Sequence, residues 1–115
     1  MIGEHDERPW GTWTILDEGD GFKVKRIEVK PHARLSYQTH QHRAEVWTVT
    51  AGTASSVIDG VTVIAHVGET ISIAIEQPHR IVNEQDEPLI IIEVQLGDYL
   101  GEDDITRLED DFGRA

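Results

Sequence analysis

Short apolar segments separated by turn residues limit what this 115-residue chain can fold into. No stretch of ten residues before Gly97 shows a 3.6-residue apolar period, so a long amphipathic helix is excluded there. The strongest turn signal is Asp59-Gly60, which separates Ala54–Ile58 from Val61–His66 and is typical of a two-residue β-hairpin. The pattern predicts an all-β domain, built as a sandwich or a barrel.

Six further segments have the length and composition of strands. They are Phe22–Lys30, Arg34–His40, Glu45–Thr50, Thr70–Ile75, His79–Asn83 and Leu89–Gln95. The last of these is apolar at both odd and even positions, which is typical of a strand that is covered on both faces. The length of the chain fits one domain over residues 1–115.

The two ends of the chain differ from the middle. Residues 1–7 are polar and are expected to be flexible. Ile105, Leu108 and Phe112 lie at helical spacing within Leu100–Arg114, and acidic residues precede them. This arrangement predicts a short C-terminal amphipathic helix, with its cap around residues 102–104.

The charge of the chain restricts its partners. Twenty-two acidic residues against ten basic ones give a net charge of −12, which disfavours nucleic acid and anionic membrane surfaces. A small anion remains possible where cations cluster locally. The chain contains no cysteine, which fits a cytoplasmic protein and excludes thiol chemistry. No apolar run reaches about 18 residues, so we expect neither a signal peptide nor a membrane span.

Histidine, glutamine and glutamate side chains form a candidate metal site. In a strand, Gln38, His40 and His42 would share one face because they are spaced two residues apart. Imidazole and carboxylate ligands from these residues, Glu45 and His79 suit a divalent ion such as Zn, Fe, Mn, Co or Ni. Glu45 has the opposite parity, so this hypothesis needs a loop or bulge within residues 41–44.

The spacing of these residues resembles the two cupin motifs. The first motif, G-x5-H-x-H-x(3,4)-E-x6-G, is matched in spacing by His32, Gln38, His40, Glu45 and Gly52. The second motif, G-x5-P-x-G-x2-H-x3-N, is matched in spacing by Gly68, Ala74, Glu76, His79 and Asn83. Three turn positions depart from the motifs, since His32 and Glu76 replace glycine and Ala74 replaces proline. Such changes are expected to alter loop shape more than metal binding.

A narrower resemblance covers residues 7–114. Its segments are Arg8-Pro9-Trp10-Gly11, EGDGFKVKRIEVKP around Phe22, QTHQHRAEVW at 38–47 and YLGEDDITRLEDDFGR at 99–114. They resemble the C-terminal cupin of bifunctional mannose-6-phosphate isomerase/mannose-1-phosphate guanylyltransferases, the type II phosphomannose isomerases. The nucleotidyltransferase half has no counterpart, so a free-standing isomerase domain is expected.

The resemblance implies a fold and a cofactor. The fold is a double-stranded β-helix, a jelly-roll barrel, and a homodimer is expected. The cofactor is one divalent metal ion per chain, with zinc favoured. The ligand positions fall on Gln38, His40, Glu45 and His79, with His42 as the competing fourth ligand.

The resemblance also implies an activity, the interconversion of mannose 6-phosphate and fructose 6-phosphate. Glu45 and His42 are the candidate general bases. The sugar phosphate would be bound by cations near the metal motifs, and the candidates are Lys25, Arg26, Arg43 and Arg80. The alternative is a cupin without this activity, which would bind a sugar or nucleotide-sugar in polysaccharide metabolism or catalyse a different reaction.

Overall fold

The computed structural model describes residues 1–111, and all regular structure in that range is β. The strands are β1 (His5–Arg8), β2 (Gly11–Gly19), β3 (Phe22–Val29), β4 (Tyr37–Thr39), β5 (Arg43–Ala51), β6 (Ala54–Ile58), β7 (Val61–Ala65), β8 (Thr70–Ile73), β9 (His79–Arg80), β10 (Leu89–Gly97) and β11 (Thr106–Glu109). The prediction of an all-β domain is confirmed. Within this range, no helix is long and apolar enough to cross a membrane.

The strands form two antiparallel sheets. The larger has the order β1-β2-β3-β10-β5-β8, and the smaller has the order β11-β4-β9-β6-β7. Neighbours that are distant in sequence, such as β3 and β10, pair along their full length. Strands β4 and β5 follow each other in the chain but belong to different sheets. The segment between them therefore passes from one sheet to the other, and it carries residues of the candidate metal site.

The inward faces of three neighbouring strands are apolar at one end of the barrel and charged toward the other. Val29 of β3, Leu89 of β10 and Val49 of β5 are fully buried apolar residues at one end of the core. Toward the other end the inward positions of these strands become charged, at Lys25 and Glu93. The register places these two opposite each other. One end of the barrel is thus an apolar core, and the other is a buried polar site.

The Asp59-Gly60 hairpin is formed as predicted. Ile58 pairs with Val61 across the turn, and the φ angles of Asp59 and Gly60 are +50° and +75°. Two consecutive residues with positive φ are the requirement of a type I′ turn, which Asp-Gly satisfies at low cost. This turn fixes the register of β6 and β7.

Two of the departures from the cupin motifs retain the glycine conformation. His32 has a φ of +58° and Glu76 a φ of +66°, both in the left-handed region that glycine adopts without strain. The backbone therefore keeps the turn at these positions although the side chain has changed. The main-chain nitrogen of Glu76 also donates to the His40 carbonyl at 2.8 Å, which links this turn to the candidate site.

The predicted C-terminal helix is wrong as far as the described residues extend. Instead, β11 pairs with β4, where Arg107 lies opposite Gln38. Pairing with an otherwise open sheet edge overrides the local helical spacing of Ile105 and Leu108. Phe112 and the remainder of the predicted helix lie outside the described residues.

The N-terminal strand β1 pairs with β2 in register from His5 with Thr14 to Arg8 with Gly11. The main-chain nitrogen of Gly3 donates to the carbonyl of Ile15 at 2.8 Å, extending this contact. Flexibility of residues 1–7 stays a prediction.

Candidate metal centre

Three buried side chains meet at the polar end of the barrel. His40 lies directly after β4, Glu45 lies on β5 and His79 begins β9. The Nε2 atom of His40 is 3.2 Å from Oε2 of Glu45, and the Nε2 atom of His79 is 3.7 Å from Oε1 of Glu45. One donor atom from each residue can be chosen so that all three lie within 4.8 Å of one another. The side chains are only 2–4% exposed.

The parity difficulty of Glu45 is resolved by a loop. Strand β4 ends at Thr39 and β5 begins at Arg43, so the residues between them are not strand. The loop lets His40 and Glu45 face the same site from different sheets. The predicted loop within residues 41–44 is therefore present, at residues 41 and 42.

Backbone carbonyls orient both imidazole rings. The Nδ1 atom of His40 donates to the Asp104 carbonyl at 2.7 Å, and Nδ1 of His79 donates to the Gln77 carbonyl at 2.8 Å. A proton on Nδ1 leaves the Nε2 lone pair directed into the site, as in known histidine metal sites. Burial lowers the pKa of His40 to about 4, so this ring is neutral at neutral pH.

Glu45 is held as a carboxylate by its neighbours. Burial alone would raise its pKa, but the Arg43 guanidinium and the two histidines lower it to about 2. Arg43 Nε donates to Oε2 at 2.8 Å, and Trp47 Nε1 donates to Oε1 at 2.9 Å. The site thus offers one carboxylate, the neutral imidazole of His40 and the imidazole of His79.

This donor set fits a divalent metal ion. Two histidines and one carboxylate are a known ligand set of catalytic zinc, in which each ligand lies about 2.0–2.2 Å from the ion. Tetrahedral ligands at that distance are roughly 3.4 Å apart. Each imidazole Nε2 lies near that distance from one Glu45 oxygen, His40 at 3.2 Å from Oε2 and His79 at 3.7 Å from Oε1. Gln38 lines the same cavity, and its amide nitrogen donates to Ser36 Oγ at 3.0 Å. Its amide oxygen makes no hydrogen bond within residues 1–111 and could complete the set.

The cluster opens into a cavity of about 110 Å³. Its walls combine aromatic and aliphatic side chains with charged ones. The apolar lining comes from Trp10, Trp13, Ile27, Leu35, Trp47, Ile81 and Ile105, and the charged lining from Arg8, Lys25, Arg43, Glu45, Glu93, Glu102 and Arg107. The cavity therefore suits a small ligand that has both an apolar face and anionic or hydroxyl groups.

Two of the predicted substrate-binding cations lie in this cavity. Lys25 is buried, pairs with Glu102, and has its Nζ atom 4.4 Å from the centre of the Trp13 ring. Arg43 Nη2 lies 3.2 Å from His40 Nε2, at the edge of the metal cluster. Both positions were predicted from sequence.

Three predicted residues lie away from the cavity. His42 is half exposed, 3.5 Å from Asp98, and its ring packs edge-on against Tyr99. It does not share a strand with His40, since β4 has already ended. Arg26 points to the surface and pairs with Glu28.

The third, Arg80, is buried, but it belongs to the opposite face of β9 from His79. Its Nε atom donates to the Leu35 carbonyl at 2.9 Å, and Nη1 donates to Glu109 at 3.2 Å. Adjacent strand residues face opposite sides of the sheet. Because Arg80 follows His79 directly in the sequence, its side chain lies on the other face, away from the cluster.

Glu93 and Arg107 are cavity residues that the sequence reasoning missed. Burial, together with the nearby Glu45 charge, raises the pKa of Glu93 to about 8, although Arg43 and Lys25 partly oppose this. The signal for Glu93 was present, since it is the one acidic residue in the apolar run 89–96. Arg107 lay in the segment that was interpreted as a helix.

Comparison with known proteins identifies the family of the chain. The family model described as mannose-6-phosphate isomerase C-terminal matches residues 3–110. The alginate biosynthesis protein AlgA of Pseudomonas aeruginosa is 52% identical over 108 residues, covering 94% of this chain and 22% of that protein. A mannose-1-phosphate guanylyltransferase of Escherichia coli K12 is 48% identical, covering 94% of this chain and 23% of that protein. The chain thus spans under a quarter of these relatives.

The fold also has solved counterparts. A Klebsiella pneumoniae protein with a double-stranded β-helix domain superposes with a TM-score of 0.73 at 21% identity, covering 84% of this chain and 83% of that one. This likeness confirms the predicted double-stranded β-helix. The match of the family model over nearly the whole sequence shows that the chain belongs to the mannose-6-phosphate isomerase C-terminal family.

Proposed function

We propose that this protein is a metal-dependent isomerase that interconverts mannose 6-phosphate and fructose 6-phosphate. The observation that carries the proposal is the buried cluster of His40, Glu45 and His79 at the floor of a cationic cavity, in a member of this family. The chemistry moves a proton between C1 and C2 of an open-chain sugar. It needs a Lewis acid, a proton carrier and a binding site for the anionic group.

His40, Glu45 and His79 would hold the metal ion, with Gln38 as the proposed fourth ligand. A divalent ion bound there would supply Lewis-acid stabilisation of the oxygens on C1 and C2. Zinc is the proposed metal because two imidazoles and a carboxylate form a common zinc ligand set. The neutral state of His40 and the charged state of Glu45 already match what metal binding requires.

Glu93 is the proposed proton carrier. It is buried on the central strand β10, it lines the cavity, and Gln95 Nε2 donates to its Oε1 at 2.8 Å. A pKa near the working pH is favourable for general acid–base catalysis. Glu45, a candidate from sequence, has a lowered pKa and three polar neighbours, which suits a ligand better than a base. The exposed position of His42 does not favour a role in proton transfer.

The cavity also favours an anionic ligand despite the net charge of −12. Four cationic side chains line it: Arg8, Lys25, Arg43 and Arg107. Among the lining residues, only Glu45 and Glu102 oppose them as carboxylates at pH 7, because burial keeps Glu93 largely protonated there. Arg8 also pairs with Asp6 outside the lining, so the four cations still exceed the three opposing carboxylates by one. A local positive potential inside a negative protein concentrates a sugar phosphate at the site.

The alternative proposal is a sugar-binding cupin without turnover. It is supported by the fold, because a double-stranded β-helix does not by itself determine an activity. Homodimer formation and a cytoplasmic location also remain predictions from the sequence and its resemblance.

A coupled assay separates these proposals. Protein stripped with a chelator is reconstituted with Zn, Mn, Co or Ni, and conversion of mannose 6-phosphate is followed through a fructose-6-phosphate-consuming enzyme. Activity that disappears on stripping and returns with a metal supports the isomerase. Binding of mannose 6-phosphate without conversion under any metal supports the binding protein instead.

A further inference from the structure

Arg107 is half-buried, and its Nε donor is buried and unpaired within residues 1–111. It lies on β11, lines the cavity, and its Nε atom is inaccessible to solvent without a hydrogen bond. Among residues 1–111 no carboxylate lies within ion-pairing distance of its side chain. A buried donor that is left unpaired is costly, so native structures usually provide it with a partner.

The other cationic side chains of the cavity already have carboxylate partners. Lys25 pairs with Glu102, Arg43 with Glu45 at 2.8 Å, and Arg8 with Asp6 at 3.1 Å. Arg107 therefore differs from the rest of the lining because its charge is not neutralised by the described chain. An external anion would therefore gain more binding free energy at Arg107 than at the other cations of the cavity.

A structural role for Arg107 is already filled by other arginines. Arg80 reaches Glu109 at 3.2 Å, and Arg34 reaches Asp111 at 2.6 Å, so the opposite face anchors this segment. Arg107 contributes to neither of these ion pairs. Its side chain faces the cavity, together with that of Ile105.

The sheet places Arg107 at a defined distance from the metal cluster. The register aligns Arg107 of β11 with Gln38 of β4, and Gln38 with His79 of β9. Arg107 and His79 are thus two strand spacings apart, roughly 9–10 Å along the sheet. A phosphorylated sugar has its carbonyl and its phosphate at opposite ends, and this row provides a site for each end.

We propose that Arg107 binds the phosphate of the sugar substrate and sets the preference for phosphorylated over unphosphorylated sugars. The inference rests on the proposed function, because it takes the metal cluster as the site of the sugar's reactive end. Arginine is suited to this role, since its planar guanidinium can donate two parallel hydrogen bonds to a phosphate.

Isothermal titration of the metal-loaded protein with mannose 6-phosphate, mannose and inorganic phosphate tests the inference. Arg107→Gln should weaken mannose 6-phosphate binding by about ten- to hundredfold, and Arg107→Lys should recover part of that loss. Mannose affinity and metal content should not change. Lys30→Gln is the matched control, because Lys30 is an exposed cation outside the cavity.

Three results would overturn the inference. The first is an Arg107→Gln affinity for mannose 6-phosphate equal to that of Lys30→Gln. The second is an equal loss of mannose and mannose 6-phosphate affinity, which would indicate a structural role. The third is wild-type protein that binds neither mannose 6-phosphate nor inorganic phosphate.

The titration is independent of turnover. A selective loss in Arg107→Gln together with an inactive wild type would uphold this phosphate site and reject the isomerase. An active wild type with unchanged affinity in Arg107→Gln would do the reverse.

Discussion

The Nδ1 atom of His40 lies 2.7 Å from the carbonyl oxygen of Asp104, a residue 64 positions further along the chain. The same aspartate accepts hydrogen bonds at 2.9 Å from the main-chain nitrogens of Gln41 and His42 through its two carboxylate oxygens. Asp104 thus holds both the imidazole and the loop that carries it. The C-terminal segment is therefore a structural part of the candidate metal centre.

Asp104→Ala should weaken metal binding while the ligands stay in place. Loss of both loop hydrogen bonds frees the loop and the Asp104 carbonyl, and such outer contacts typically change metal affinity by about 10–100-fold. Competition with a chromophoric chelator measures the affinity. Asp98→Ala is the control, because Asp98 is exposed and its carboxylate lies 3.5 Å from the outlying His42. Equal affinities in the two variants would contradict the positioning role.

His40→Ala and His79→Ala should each abolish stoichiometric metal binding. Each removes one of the two imidazole donors, and the remaining histidine, Glu45 and the proposed ligand Gln38 cannot complete the tetrahedral set. Elemental analysis of protein purified without chelator gives the metal content per chain. His42→Ala is a matched control, as it removes a neighbouring histidine that lies outside the cluster, and it should retain the wild-type content. Equal metal in all four proteins would reject the site.

Glu93 should make the metal-free protein less stable at alkaline pH. Its pKa is about 8 when folded against about 4.5 when unfolded, so its stabilising contribution is present below 4.5 and is lost as pH rises toward 8. His40 acts in the opposite sense between about 4 and 6.5, because its folded pKa is lowered. The two effects offset each other below 6.5, and a loss of about 1–2 kcal/mol remains between pH 6.5 and 8.

Urea denaturation at a series of pH values measures this loss. Glu93→Gln keeps the neutral shape of the side chain, so its stability should be flat between pH 6.5 and 8. A wild-type curve parallel to that of Glu93→Gln would show that Glu93 ionises normally in the folded protein.

The spacing and the local turns agree for the residues that meet in the candidate site, and their role as ligands stays a prediction. Asp59-Gly60 forms its hairpin at the expected residues, and the parity of Glu45 correctly required a loop. The alternation of strand residues gives a wrong position for His42, because the prediction assumes that the strand continues to that residue. Strand β4 ends three residues earlier, and its end is set by the crossing between sheets, which a local pattern does not encode.

Glu76→Gly should stabilise the protein. A non-glycine residue in the left-handed region costs about 1–2 kcal/mol, and glycine loses about 0.5–1 kcal/mol more backbone entropy on folding. The net gain should be about 0.5–1 kcal/mol by chemical denaturation. Glu84→Gly, at an exposed position without positive φ, should lose stability by a similar amount. A loss in both variants would mean that the Glu76 side chain contributes more than its backbone costs.

Residues that depend on long-range pairing were not recoverable from the sequence. Arg107 reaches the cavity because β11 pairs with β4, and this pairing replaces the helix that the spacing of Ile105 and Leu108 favoured. Glu93 was recoverable in principle, since an acidic residue within a doubly covered apolar strand must face a partner or a site. Lys25 faces it across the sheet, which only the register of β3 and β10 reveals.

The most direct test of the central claim is one-dimensional NMR of mannose 6-phosphate incubated with metal-reconstituted protein. We expect the fructose 6-phosphate signals to grow to an equilibrium mixture with wild type, and to stay at baseline with His40→Ala or with stripped protein. A spectrum of mannose 6-phosphate that does not change after prolonged incubation with fully metal-loaded wild type would contradict the isomerase.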